Sequence, residues 1–142
     1  MMESLHLAVI GALGLSACAT PQEIPGCLQF DCVALGERQE LTDNVAVRPL
    51  KVIEDSRCPI EAECVWEGRV IVQAELALGN ATRLISLDTS RPLRIQKGML
   101  GIAEAAPEMS IEWSPIPEES YRFAFSYAPD IMTDEEATSP VP

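Results

Sequence analysis

Gly68-Arg69-Val70-Ile71-Val72-Gln73-Ala74-Glu75-Leu76-Ala77-Leu78-Gly79-Asn80-Ala81-Thr82-Arg83-Leu84-Ile85-Ser86-Leu87 is the stretch that decides the fold. Val70, Val72, Ala74, Leu76 and Leu78 fall on one face and Arg69, Gln73 and Glu75 on the other, with Ile71 breaking the polarity. A period of two is the signature of a strand with one buried face. Leu78-Gly79-Asn80-Ala81 reads as a turn and Thr82 to Leu87 as the returning strand, so the segment is expected to be a hairpin.

Working outward, Val45 to Ile53 is a β-branched run whose Pro49 calls for an edge position or a bulge. Leu93 to Gln96 and Met99 to Ala103 are shorter strand candidates separated by Lys97-Gly98. Met109 to Ser114 would set Ile111 and Trp113 on one face. Tyr121, Phe123, Phe125 and Tyr127 alternate without a break. With only seven aromatics in the chain, that row is needed to fill the interior, which favours core over a carbohydrate-stacking platform. A helical turn fits best at Leu100 to Ala106, where Ala and Glu cluster. Six to eight strands with no sustained helical period give an all-β fold, a small antiparallel β-sandwich or barrel spanning 27–128, followed by an acidic Pro- and Ser-containing tail, 129–142, expected to be disordered.

At the other end, the apolar run Leu5 to Leu15 closes on Leu15-Ser16-Ala17-Cys18. A short apolar stretch followed by small residues has the layout of a secretory signal, and it is too short to span a bilayer, which takes ~20 apolar residues. The four residues ending in Cys18 resemble the bacterial lipobox. That resemblance implies removal of 1–17, a diacylglycerol thioether on Cys18 and an acylated amino terminus, with 18–26 as a tether. Several acyl chains on one residue anchor stably where one holds marginally. Ala19 in place of Asp after the lipidated position implies sorting to the outer membrane, facing the periplasm.

Loss of 1–17 would leave 125 of 142 residues; Glu3 is the one Asp, Glu, Lys or Arg removed, so 10 basic residues face 21 acidic ones, net −11. Such a surface repels phosphate backbones, and nucleic acid is not an expected partner. His6, the single histidine, leaves with the signal. The mature chain then has no Ser-His-Asp or Cys-His chemistry and no His-bearing zinc site. No cofactor fingerprint is present, and neither catalytic nor metal-binding residues are assigned.

Cys27 and Cys32, then Cys58 and Cys64, remain. An even count in an exported chain reads as two disulfides. Four cysteines allow three pairings; Cys27–Cys32 with Cys58–Cys64 is preferred because short loops close at small entropic cost beside the turn formers Pro25-Gly26 and Pro59. A zinc ion held by all four thiolates is the competing arrangement.

Asp55-Ser56-Arg57-Cys58-Pro59-Ile60-Glu61-Ala62-Glu63-Cys64-Val65-Trp66-Glu67-Gly68 is the densest signal of the mature chain. It resembles a D-S-R-C-P-x4-C-x-W-x-G pattern of small, uncharacterised bacterial exported and lipid-anchored proteins, a family tag that carries no established activity. Physically, Pro59 fixes φ at the start of a clamped loop, Trp66 is large enough to cover the bridge and seed a core, and Gly68 permits a turn or bulge. Asp55 can cap the turn or pair with Arg57. A stapled corner between two strands accounts for the block; alternatively Asp55, Arg57 and Trp66 make it a recognition loop, with Arg57 projecting beside the bridge.

The resulting expectation is a lipid-anchored envelope protein with a non-catalytic binding or structural β domain, whose partners are the membrane, through its anchor, and an unknown protein or envelope polymer. One alternative is a protease-inhibitor-like module presenting the 55–68 loop. The other is a carboxylate-dependent glycan hydrolase, which requires two acids ~5–10 Å apart in a cleft.

Overall fold

The computed structural model describes residues 26–96 and 98–130; the expected signal 1–17, Cys18, the tether up to residue 25 and residues 131–142 lie outside the described residues. Eight strands run in order: β1 (Val33–Ala34), β2 (Gln39–Thr42), β3 (Val45–Asp55), β4 (Val70–Leu78), β5 (Ala81–Asp88), β6 (Leu93–Ile95), β7 (Gly98–Ala106) and β8 (Arg122–Pro129). They form two antiparallel four-stranded sheets, β1-β8-β7-β6 and β2-β3-β4-β5, packed face to face. No ladder joins the outer strands of one sheet to those of the other, so the molecule is a sandwich and not a barrel.

The β4–β5 hairpin forms as its alternation dictates. Leu78 pairs with Ala81 across a two-residue turn, and Gly79, at φ 58°, takes the left-handed position that such a turn demands. Val70, Val72, Ala74 and Leu76 are fully buried and meet Val45, Val47 and Leu87 from the neighbouring strands. The facing sheet contributes Ile95, Leu100, Phe123 and Phe125. Tyr121, Phe123 and Phe125 stack along β8, with centroids 5.8 and 6.2 Å apart, while Tyr127 lies half-buried at the periphery. The aromatic row is therefore core, as its spacing requires.

Pro49 is accommodated by a bulge between Pro49 and Lys51, in a strand that is internal to its sheet. β2 pairs only with Val45 to Val47, so beyond that point β3 has an open side. The Pro49 carbonyl accepts the Gly36 N–H from that side at 2.6 Å. N and C=O of a strand residue point the same way, so the N–H that proline lacks would have faced no ladder. Gln39 performs a similar service for β8: its amide exchanges hydrogen bonds with the backbone of Phe125, covering an edge that the two-residue β1 leaves open.

Two expectations are corrected. Leu100 to Ala106 is not helical but the body of β7, paired with β8 along its whole length apart from a bulge at Ala103. Continuous pairing and burial of Leu100 and Ala106 outweigh the weak helical preference of Ala and Glu. Met109 to Ser114 is not a strand either. Ile111–Trp113 is a 3-10 turn capped by the Ser110 hydroxyl, and Ile111 and Trp113 are exposed while Met109 is buried. Local caps satisfy the backbone there, so the segment requires no sheet partner.

Candidate functional site

β3 and β4 run on past the sheet into the loop that carries the second cysteine pair. Ser56 N–H donates to the Arg69 carbonyl at 2.9 Å, the Ser56 hydroxyl accepts from Arg69 N–H at 3.2 Å, and Cys58 N–H donates to the Glu67 carbonyl at 3.4 Å. Gly68 is in this base at φ 70°, and a Cβ there would lie 1.9 Å from the Ser56 carbonyl oxygen. Glycine is the residue that both the φ and the approach permit. Cys58 and Cys64 are bridged, as are Cys27 and Cys32, with Cα separations of 5.9 and 5.7 Å. Local pairing is thus the observed one, and it removes the four-thiolate zinc alternative.

Arg57 does not project from the loop. Its guanidinium forms a fork with the Asp55 carboxylate at 2.9 and 2.7 Å and donates to the carbonyls of Ala105 and Pro107, both at 2.9 Å; its side chain is 18% exposed. Tyr121 donates its hydroxyl to the same carboxylate at 2.9 Å, and Arg57 N–H caps it at 3.3 Å. The cluster joins the end of β3 in one sheet to the end of β7 and the entry to β8 in the other. Burial pushes the Asp55 carboxyl up, but the hydrogen bonds and charge of Arg57 together with the Tyr121 hydroxyl outweigh it and hold Asp55 below the usual carboxylate range. Burial, then the bond to Asp55, raises the Tyr121 phenol well above its ordinary value. An arginine bound this way is a rivet, and the inhibitor-like reading loses the basic anchor it relied on.

The first cysteine loop hangs from the same stretch of β7. The Glu104 carboxylate accepts the backbone N–H groups of Leu28 and Gln29 at 2.6 and 3.1 Å. Residues 104–107 therefore hold both clamped loops, one through the Glu104 side chain and the other through backbone carbonyls reached by Arg57.

Trp66 neither covers the bridge nor seeds the core: it is 67% exposed, and its neighbour Val65 is 91% exposed. The loop tip is stitched instead to the segment after β7. Ile60 N–H donates to the Met109 carbonyl at 2.9 Å, and the Glu61 carboxylate accepts from the Ser110 hydroxyl at 2.5 Å and from Ile111 N–H at 3.1 Å. Those bonds hold the Glu61 carboxyl below its usual range. Ile60, Ile111 and Trp113 all point outward beside this seam. Between Ile60 and Trp113 lies an open cavity of about 410 Å³, lined by these two side chains and Pro107 together with Glu61, Glu108 and Glu112.

Of the loop residues singled out in the sequence, Asp55 and Arg57 meet in the structural rivet and Trp66 stands apart on the surface. Sequence reasoning missed the contribution of 107–113. Ser110, a capping residue two positions before Glu112-Trp113 and five before Pro115, was the available signal. Among the described residues, no group of three His, Cys, Asp or Glu is placed to hold a metal ion. No protein-family model, curated protein or solved structure matches this chain.

Proposed function

We propose that this chain is a bacterial lipid-anchored envelope protein, held at the outer membrane through Cys18 and facing the periplasm, whose sandwich acts by binding and not by catalysis. The observation that carries the reading is the set of exposed apolar side chains at this end, Ile60, Ile111 and Trp113 along the seam and Val65 and Trp66 farther along the same clamped loop, on a backbone fixed by a disulfide and by the Glu61 and Ile60 hydrogen bonds. Exposed aromatic and aliphatic side chains on a rigid frame are what recognition surfaces use, because they desolvate favourably and need little ordering on contact. Asp55, Glu61 and Asp88 are all held below the ordinary carboxylate range, opposite in direction to the shift a glycosidase acid needs.

Two measurements test the proposal. Cys18→Ser should move the protein from the membrane to the soluble envelope fraction; retention on the membrane would overturn the anchor. A photo-cross-linking residue at position 60 or 66 should form adducts in intact cells, while the same residue at Leu84, exposed on β5, should not. Equal labelling at all three positions would overturn the assignment of the face.

A further inference from the structure

Resting on the reading of this end as the binding face, we propose that the groove between Ile60 and Trp113 receives a cationic amphipathic segment of a protein partner, its Lys or Arg heads at the glutamate rim and its apolar residues on the indole. The argument is charge complementarity. Glu61, Glu108 and Glu112 border the cavity and no Lys or Arg lines it. None of the ion pairs among the described residues involves these three glutamates. Arg57, on the same loop as Ile60 and Glu61, is committed to Asp55 and to two carbonyls. Glu61 is fixed by Ser110 and Ile111, so its charge is oriented before any partner arrives.

The apolar walls add what acidic side chains alone cannot. Trp113 is half exposed and Ile60 more so. An alkyl stem lying on the indole is desolvated while its charged head stays at the wet rim, the arrangement that long basic side chains favour. A cation over an indole face is attracted by the ring quadrupole as well. An anionic partner would meet three unneutralised carboxylates, and a purely apolar one would leave them facing a dry surface. A basic partner with an apolar stripe matches both features at once.

The chain contains two tryptophans, so the full-length protein carrying Trp66→Phe, in neutral detergent, reports on Trp113 alone. A short peptide alternating Lys and Leu should shift Trp113 emission to the blue and bind less tightly as salt is raised, whereas its Glu and Leu counterpart should not bind. Glu108→Gln with Glu112→Gln should weaken the Lys and Leu peptide by about tenfold. Glu40→Gln with Asp43→Asn removes equal charge at the far end of β3, roughly 30 Å away at strand spacing, and should leave the affinity unchanged. Equal losses in the two double variants would mean diffuse attraction to an acidic surface and overturn the groove; so would no loss at Glu108 and Glu112. Cross-links from position 60 that the Lys and Leu peptide does not displace would overturn this partner chemistry while leaving the binding face in place.

Discussion

Replacing Arg57 by Ala removes the fork to Asp55 and the two bonds that tie the loop to Ala105 and Pro107. The two carbonyls sit where water can partly replace the guanidinium, which makes each loss worth about 1 kcal/mol. Asp55, 7% exposed at its side chain, keeps the Tyr121 hydroxyl and Arg57 N–H but loses its countercharge, a loss of about 2 kcal/mol once solvent access is allowed for. The expected destabilisation is about 3–4 kcal/mol, which lowers the melting temperature of a domain this size by on the order of 15 °C. Thermal unfolding of the full chain in neutral detergent, followed by near-ultraviolet circular dichroism, reads it directly. Asp55→Asn alone and combined with Arg57→Ala completes a cycle in which the double variant should fall little below Arg57→Ala, because each change already removes the shared pair. A melting temperature within a few degrees of the parent, with Arg57→Ala folded and the loop intact, would refute the rivet and return Arg57 to the surface.

Three further expectations follow from the same geometry. Gly68→Ala should cost about 3 kcal/mol or more, since it combines a left-handed backbone with a collision at the Ser56 carbonyl; a denaturant midpoint equal to the parent's would contradict it. Cys64→Ser opens a ring closed over a sequence separation of 6 and should destabilise by ~2 kcal/mol, measured as a shift in midpoint at unchanged slope. Because the folded Asp55 carboxyl lies below its unfolded value, its stabilisation is complete above the ordinary carboxylate range and disappears as pH falls through the folded value; Asp55→Asn should therefore flatten the acid limb of stability against pH, below about pH 4, and an unchanged limb would exclude Asp55 as a contributor.

Period-two alternation made β4 and the aromatic row of β8 readable from the chain, and β5 followed as the return from the Gly79-Asn80 turn. The cysteine pairing was readable for a related reason: contacts between near neighbours are set by local geometry. What was hidden depended on partners far along the chain. β7 carries a helix-leaning composition that only its pairing with β8 overrules. Arg57 finds its carbonyl acceptors 48 and 50 residues away, and no local pattern separates such an arginine from one in solvent. The size of Trp66 argues for an inward position, yet the core is already filled by Phe123, Phe125 and the aliphatic residues of β3 and β4. The two-residue β1 and four-residue β2 are too short for alternation to register.

Each bridge joins cysteines that are consecutive in chain order, 27 with 32 and 58 with 64. A polypeptide entering an oxidising compartment amino terminus first would expose each pair together, before the next pair arrives. Apart from Cys18, which the proposed lipidation occupies, the first thiols to meet an oxidant would then already be the native partners, and closing so short a ring is fast compared with thiol reshuffling. Maturation of this chain should accordingly proceed with an oxidase alone, independent of any isomerase.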